Sequence, residues 1–219
     1  MEQTSAVIGL SRGISRYFEE KYRKPVHTIY NCFDPAEYPA ATEKPVGLTI
    51  LYTGALYSSR SPEPFLAGFA KFASRHPEAR FEIAGGSSDL NLPEMVARHG
   101  LTGKVALLGR LPHGEVLQKM QTAGALLAIQ SPEDDVHVPG KIFEYMGARR
   151  PIFAVSRPCE TAELAAQAGI VAAPEAGEID AKLEELFRRG SAATMPEKFS
   201  VHEATRQLAA VLDEIAGKR

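Results

Sequence analysis

The sequence predicts a doubly wound α/β fold built on a mostly parallel sheet. From Val46 onward, short apolar runs alternate with longer amphipathic stretches, which is the pattern of strands separated by helices. Most of these apolar runs are continuous, as expected of strands that are covered on both faces. The 219 residues suffice for one large domain or two small ones, and a hydrophobic fraction of 44% predicts a packed core.

Six strands are predicted in this region, with helices between them. Phenylalanines recur at i, i+4 and i+7 after the first strand, and a similar aliphatic stripe follows the last one, as on the buried faces of helices. The pattern therefore indicates a Rossmann-like sheet with helices on both faces. The predicted strands are 48–52, 81–84, 105–108, 125–129, 152–155 and 170–172, and the two stripes are Phe65, Phe69, Phe72 and Ile179, Leu183, Leu186.

The first 45 residues differ from the rest. They contain a predicted strand at 6–10, a helix with Ile14, Phe18 and Tyr22 on one side, and a second strand at 26–30. A proline-spaced stretch follows, with Pro35, Pro39 and Pro45. Such a unit is too short to bury a core of its own, so we interpret 1–45 as an interdomain segment or the tail of a further domain.

The remaining chain divides into a ligand-binding domain at 46–200 and a terminal helix at 201–219. Leu208, Leu212 and Ile215 form one stripe along that helix. The stripe either covers this domain or reaches back toward the further domain, and it makes self-association possible.

Charge and cysteine usage exclude several classes of function. With 25 basic and 27 acidic side chains the formal net charge is −2, which gives no basic field for binding nucleic acid. Cys32 and Cys159 show no metal-ligand or disulfide spacing, which favours a reducing, cytoplasmic compartment. No apolar run is long enough to span a membrane. The N-terminal residues have only a short apolar stretch at 6–10 with no basic segment before it, so no secretory signal is expected.

The segment 131–151 is the strongest candidate for a ligand site because it follows a buried strand at the carboxyl edge of the sheet. Pro139 suits the first position of a helix, whose free N–H groups favour an anion. Lys141 and Glu144 then lie on one helix face, where they are placed to bind a phosphate and a ribose diol respectively. From spacing alone, a surface salt bridge between them is the simpler alternative.

Two other loops follow predicted strands. Gly54 would let backbone approach a ligand, and Arg60 would offer bidentate hydrogen bonds to phosphate, although an exposed loop arginine is the plainer interpretation. Gly85 and Gly86, followed by two serines, lack a phosphate-binding motif and are interpreted mainly as a turn.

Polar residues before Pro139 are weaker candidates. His137 either hydrogen-bonds a sugar or phosphate or faces solvent. The acidic run Glu133, Asp134, Asp135 has ligand types for Mg²⁺, but such runs are usually solvated, so no metal is expected. No hydrolase motif of the Gly-x-Ser-x-Gly or His-Glu-x-x-His kind is present.

Several segments of the sequence resemble those of the nucleotide-sugar-dependent retaining glycosyltransferases of the GT-B fold, family four. They occur in that family's order along nearly the whole chain. The segments are AVIGLSRGISRYFEEKY, TIYNCFDPAEY, ILYTGALYSSRSPEPFLAGFAKF, FEIAGG, VALLGRLPHGEVLQKM, GALLAIQ and VPGKIFEYMGARRPIFAV. Each segment alone is weak evidence, whereas their order and spacing are specific.

The resemblance implies that the chain is the C-terminal, donor-binding half of such an enzyme, acting in polysaccharide biosynthesis. It implies ribose binding by Glu144, and diphosphate binding by the groups at the first loop and the helix start. It also implies base contacts from the loop after the third strand of the sheet. The diphosphate set is Gly54, Arg60, Val138, Pro139, Gly140 and Lys141, and the base set is Gly109, Arg110 and Leu111.

One position departs from the family pattern. Counting eight back from Glu144 gives Val136, where a sugar-contacting acid usually stands, so Asp134, Asp135 or His137 would have to supply those contacts. A subgroup has the same Pro-Gly-Lys helix start as residues 139–141.

The expected partners are a nucleotide sugar and an N-terminal acceptor domain, with no cofactor and no metal. The resemblance also allows peripheral membrane contact of the full-length protein. The isolated chain is expected to be inactive as an enzyme. The alternatives are a nucleotide-sugar 2-epimerase and a non-catalytic nucleotide-sugar-binding or interaction module.

Overall fold

The computed structural model describes residues 4–38, 47–131, 136–190 and 196–217. Its main feature is a parallel six-stranded sheet, whose strands lie side by side in the order Val105–Gly109, Arg80–Ala84, Thr49–Thr53, Ala125–Ile129, Ile152–Val155 and Gly169–Ala172. The strand order reverses between Thr49–Thr53 and Ala125–Ile129, which defines a doubly wound topology and places a switch point at the carboxyl ends of those two strands. The predicted fold class is confirmed.

The elements of this domain alternate in the order that the hydrophobic pattern predicts. The strands are β3 (Thr49–Thr53), β4 (Arg80–Ala84), β5 (Val105–Gly109), β6 (Ala125–Ile129), β7 (Ile152–Val155) and β8 (Gly169–Ala172). The helices are α2 (Glu63–Arg75), α3 (Leu92–Arg98), α4 (His113–Thr122), α5 (Lys141–Gly147), α6 (Glu160–Ala165), α7 (Ala176–Arg189) and α8 (Val201–Gly217). Each predicted strand is present, with bounds that differ by at most one residue.

Side chains alternate between two core layers along the central strands. Ile50 and Tyr52 of β3 face α2, α3 and α7, whereas Leu51 faces the layer of α4, α5 and α6. The predicted phenylalanine stripe of α2 and the aliphatic stripe of α7 are buried in the first layer. Burial on both faces is the physical reason for the continuous apolar runs.

The N-terminal segment forms a small unit of its own secondary structure. Strands β1 (Val7–Gly9) and β2 (Val26–Thr28) pair in parallel, with helix α1 (Arg12–Tyr22) between them. The chain that follows joins the main domain, because Phe33 N–H donates to the Phe199 carbonyl at 3.1 Å and Val201 N–H donates to Phe33. Both strands are shorter than the predicted 6–10 and 26–30.

Two predicted helix features change in the structure. Helix α5 begins at Lys141 with Gly140 as its cap, two residues after the predicted first position at Pro139. The Pro139 carbonyl accepts from Ile142 N–H at 3.1 Å, so residues 139 and 140 form the turn that leads into the helix. In α8, Val211 is buried, whereas Leu208 and Leu212 are 40% and 57% exposed.

Pro39 and Pro45 of the proline-spaced stretch lie outside the described residues. Among the helices that the structure describes, none is long and apolar enough to cross a membrane.

Candidate functional site

A cleft of about 740 Å³ opens at the carboxyl ends of β3 and β4 and extends to the loop after β5. This volume is in the range of small-molecule sites, and the position beside the switch point is where doubly wound sheets bind ligands. The cleft is lined by Thr53, Gly54, Ala55, Tyr57, Ala84, Gly85, Gly86, Ser87, Ser88, Arg110, Leu111, Val116, Lys141 and Glu144.

The loops after β3 and β4 form one wall of the cleft because they are hydrogen-bonded to each other. Gly54 N–H donates to the Ala84 carbonyl at 2.8 Å, and Leu56 N–H donates to Gly86 at 2.9 Å. Gly54 and Gly85 have φ values of +96° and +156°. A Cβ on Gly85 would lie 1.9 Å from the Gly54 carbonyl oxygen, so this approach of the two backbones requires glycine.

Lys141 lies on the cleft floor, where two neighbouring groups of β3 hold its side-chain nitrogen. Its Nζ donates to the Thr53 carbonyl at 2.7 Å and lies 3.9 Å from the centre of the Tyr52 ring. Burial, and secondly repulsion from Arg60, lower the pKa of Lys141 to about 7, and the opposing attraction of Glu144 is smaller. The described residues show no ion pair between Lys141 and Glu144, so the salt-bridge alternative is wrong.

Glu144 lies one helical turn beyond Lys141, and its exposed side chain lines the same cleft. The buried Tyr38 lies nearby, and burial together with the charge of Glu144 raises the pKa of the tyrosine. An ammonium and a carboxylate are thus presented to the cleft at separate points along α5. Such a pair matches a ligand that has an anionic part and a hydroxyl-rich part.

The fully buried Tyr145 fixes α5 against the sheet. Its hydroxyl lies 3.1 Å from both the Thr53 N–H and the Thr53 hydroxyl, and it donates to the Leu127 carbonyl at 3.2 Å. Because Thr53 also accepts from Lys141, one residue at the end of β3 connects to two side chains of α5. Tyr145 was not identified from the sequence, where it reads as one more apolar position of a helix.

The structure brings together part of the predicted residue set. Gly54, Lys141, Glu144, Arg110 and Leu111 line the cleft. Arg60 lines a smaller neighbouring pocket of about 120 Å³, although it is near enough to Lys141 to affect its pKa.

The remaining predicted residues are not among those that line the cleft. Val138 is buried in the core, and Gly140 and His137 are exposed. Pro139 is half-buried in the turn before α5, and Gly109 ends β5 with φ +67°. Asp135, with the acidic run to which it belongs, lies outside the described residues.

Sequence reasoning missed most of the cleft wall. Thr53, Val116 and the stretch from Gly86 to Ser88 line it, although the sequence of the glycine-serine stretch is mainly that of a turn. The available signal was position, because this stretch directly follows β4 at the same edge as the candidate loop after β3.

Residues 47–189 match the model of the family described as Glycosyl transferases group 1. The chain belongs to this family. The match runs from just before β3 to the end of α7 and so includes every strand of the large sheet. Among curated protein sequences, none matches this group 1 glycosyltransferase chain.

Solved structures share the fold over nearly the whole chain. They include the pneumococcal O-GlcNAc transferase GtfA in complex with UDP and GlcNAc, with TM-score 0.72, 14% identity, and coverage of 98% of this chain and 46% of that one. Anabaena HepE in complex with UDP has TM-score 0.73 and 18% identity, and the match covers 96% of this chain and 64% of the HepE chain. Sucrose-phosphate synthase from Thermosynechococcus elongatus has TM-score 0.67 and 14% identity, and the match covers 100% of this chain and 60% of the synthase chain.

At these identities the likeness shows the fold alone, that of a GT-B, Rossmann-like glycosyltransferase domain. This group 1 chain spans between 46% and 64% of the length of those three structures.

Proposed function

We propose that the chain is the donor-binding domain of a glycosyltransferase that transfers a sugar from a nucleoside-diphosphate sugar to an acceptor with retention. The observation that carries this proposal is the presentation of Lys141 and Glu144 by one helix to the cleft at the switch point. Family membership supports the class of reaction.

In this proposal the cleft binds the donor from diphosphate to base. The diphosphate meets Lys141, with Arg60 nearby and with the glycines at the ends of β3 and β4 allowing close approach. Repulsion between the two cations is relieved when an anion binds, and the same charges stabilise the departing diphosphate. Glu144 accepts hydrogen bonds from the ribose hydroxyls, and Arg110 and Leu111 contact the base.

Sugar recognition is proposed for the chain that precedes α5, where His137 lies and where Asp135 belongs in sequence. The position at which the family pattern has an acid is Val136, which has no group for acid–base chemistry. A 2-epimerase needs carboxylates beside the sugar, and Glu144 is the one acid among the described residues that line the cleft. The transferase is therefore the better supported enzyme.

We further propose that 1–45 belongs to the junction with an acceptor-binding domain, 46–200 binds the donor, and 201–219 contacts the junction. The support is that β1 and β2 form a two-stranded parallel sheet, which is an unusually small one, with Ile8, Leu10 and Tyr17 exposed around it. Cys32 and Cys159 lie unpaired, in agreement with a proposed cytoplasmic compartment.

Thermal unfolding of the chain with UDP, GDP, ADP and dTDP tests donor binding. One of these diphosphates should raise the melting temperature, since a ligand at 100 times its Kd stabilises the fold by about 2.7 kcal/mol. UDP is the first choice because the GtfA and HepE structures contain it. If no diphosphate shifts the transition of the parent protein, the proposal fails.

A further inference from the structure

The start of helix α1 is bonded to the chain that leads into the cleft. Ser11, which is fully buried, caps α1 by accepting from Ile14 N–H at 3.0 Å. Its single hydroxyl proton is then donated to the Val136 carbonyl at 2.6 Å. One side chain therefore serves both as the cap of a helix and as a tie to a segment that is 125 positions away.

Gly13, the second residue of α1, lies against the same segment. A Cβ on Gly13 would lie 3.0 Å from both the Cα and the carbonyl oxygen of Val136, so the two backbones are already in close contact. The carboxylate of Glu160 accepts from the Arg12 N–H at 3.0 Å, the Arg12 Nε at 2.9 Å and the Tyr30 hydroxyl. These bonds anchor the start of α1 to α6.

The chain between Val136 and Lys141 is held at nearly every step. The His137 carbonyl accepts from Gln130 Nε2 at 3.2 Å and from the Thr161 hydroxyl at 3.4 Å, and the Val138 side chain is buried. Lys141 then bonds to Thr53 on the cleft floor. These residues are consecutive, so the chain from Val136 to Lys141 is a continuous connection between the start of α1 and the cleft floor.

We propose that Ser11 and Gly13 are positioning residues, which act through Val136 to place Lys141 for binding a diphosphate. The N-terminal unit thereby sets the affinity of the cleft for phosphate without touching the ligand. This inference rests on the proposed function, since it presumes that the cleft binds a nucleoside diphosphate.

The test is calorimetric titration of UDP and uridine into the parent chain and into Ser11→Ala and Gly13→Ala, well below the melting temperature. Ser11→Ala removes the tie to Val136, and Gly13→Ala pushes Val136 away while leaving the cap intact. Each variant should bind UDP about fivefold more weakly, while its affinity for uridine changes less than about twofold. If the parent prefers another base, the diphosphate and nucleoside of that base replace UDP and uridine.

Asn91→Ala is the matched control. Asn91 caps α3 by accepting from Glu94 N–H, so its loss weakens a helix start outside the 136–141 segment. This variant should lower the melting temperature and leave both affinities unchanged.

If Ser11 had a purely structural role, Ser11→Ala would behave like Asn91→Ala, with a lower melting temperature and unchanged affinities for UDP and uridine. Unchanged UDP binding by folded Ser11→Ala and Gly13→Ala overturns the inference. If the parent binds no nucleoside diphosphate, the proposed function fails and this inference with it.

Discussion

Lys141 combines a buried stem with a charged group that faces the cleft, and this gives the proposed site a pH dependence. Burial and Arg60 hold its pKa at about 7 in the free protein, with Glu144 opposing. A bound diphosphate favours the charged ammonium and so raises that pKa, which means that binding takes up protons above pH 7. Affinity for a diphosphate should therefore fall as the pH rises from 7 to 9.

Titration calorimetry across this pH range measures the slope, which cannot exceed about tenfold per pH unit for one proton. Lys141→Met removes the titrating group and should bind weakly with no slope. If the affinities of the parent and of Lys141→Met followed the same pH profile, the pH dependence of binding would come from another group.

Glu144 offers a second test at the residue scale. If it accepts hydrogen bonds from both ribose hydroxyls, Glu144→Gln should weaken binding of a ribonucleoside diphosphate by roughly 1.5 to 3 kcal/mol, because charge-assisted bonds become neutral ones. A deoxyribose ligand should bind weakly to the parent and lose much less. Glu20→Gln, at an exposed position of α1, serves as the control in the same titrations. Equal losses for the two sugars would contradict the ribose assignment.

At the scale of elements, α2 and α7 cross closely at Gly68. A Cβ there would lie 2.5 Å from the Ile179 side chain and 3.0 Å from the Ala176 carbonyl oxygen. Alanine is the better helix former by about 1 kcal/mol, but here it forces the helices apart. Gly68→Ala should therefore lower the free energy of unfolding by about 1 to 3 kcal/mol.

Gly177 provides the control in the same helix pair, because its Cβ would meet nothing within 4 Å and its position is exposed. Gly177→Ala should be neutral or stabilising. Urea unfolding of both variants measures the difference, and equal midpoints would show that the crossing tolerates a methyl group.

The whole molecule leaves apolar side chains uncovered in the described residues. Leu208 and Leu212 of α8 and Ile8, Leu10 and Tyr17 of the N-terminal unit are between 38% and 57% exposed. Such surface favours association, so the isolated chain should self-associate with rising concentration. Sedimentation velocity should show this, and Leu208→Glu with Leu212→Glu should reduce it. Monomeric behaviour of the parent at high concentration would contradict the prediction.

The proposed two-domain organisation also predicts the activity of the isolated chain. Transfer depends on alignment of donor and acceptor, and the proposed acceptor site lies on another domain. The chain alone should bind a nucleoside diphosphate but transfer little or no sugar from its donor, measured as release of the diphosphate. Robust transfer to a defined acceptor would contradict this organisation.

Local sequence patterns predict much of the fold of this protein. Short apolar runs, most of them continuous, predict all six strands, and for the central strands the physical reason is burial on both faces. The edge strand β5 is also apolar, although its residues are half-buried or exposed. Family resemblance and helix spacing predict Lys141 and Glu144 as ligand-binding residues, since residues at i and i+3 share a helix face. The structure places both at the cleft, and their roles in binding stay a prediction. The position of both residues after a buried strand placed them at the correct edge of the sheet.

Only the tertiary structure decided what those residues touch. Lys141 bonds to Thr53 and lies over Tyr52, Gly85 meets Gly54, and Ser11 holds Val136. Each pair is separated by at least 31 positions in sequence, and side-chain periodicity carries no information on which distant loops meet. The exposure of the α8 stripe is unpredictable from sequence for the same reason. Periodicity shows that a helix has an apolar face, whereas tertiary packing determines whether another element covers that face.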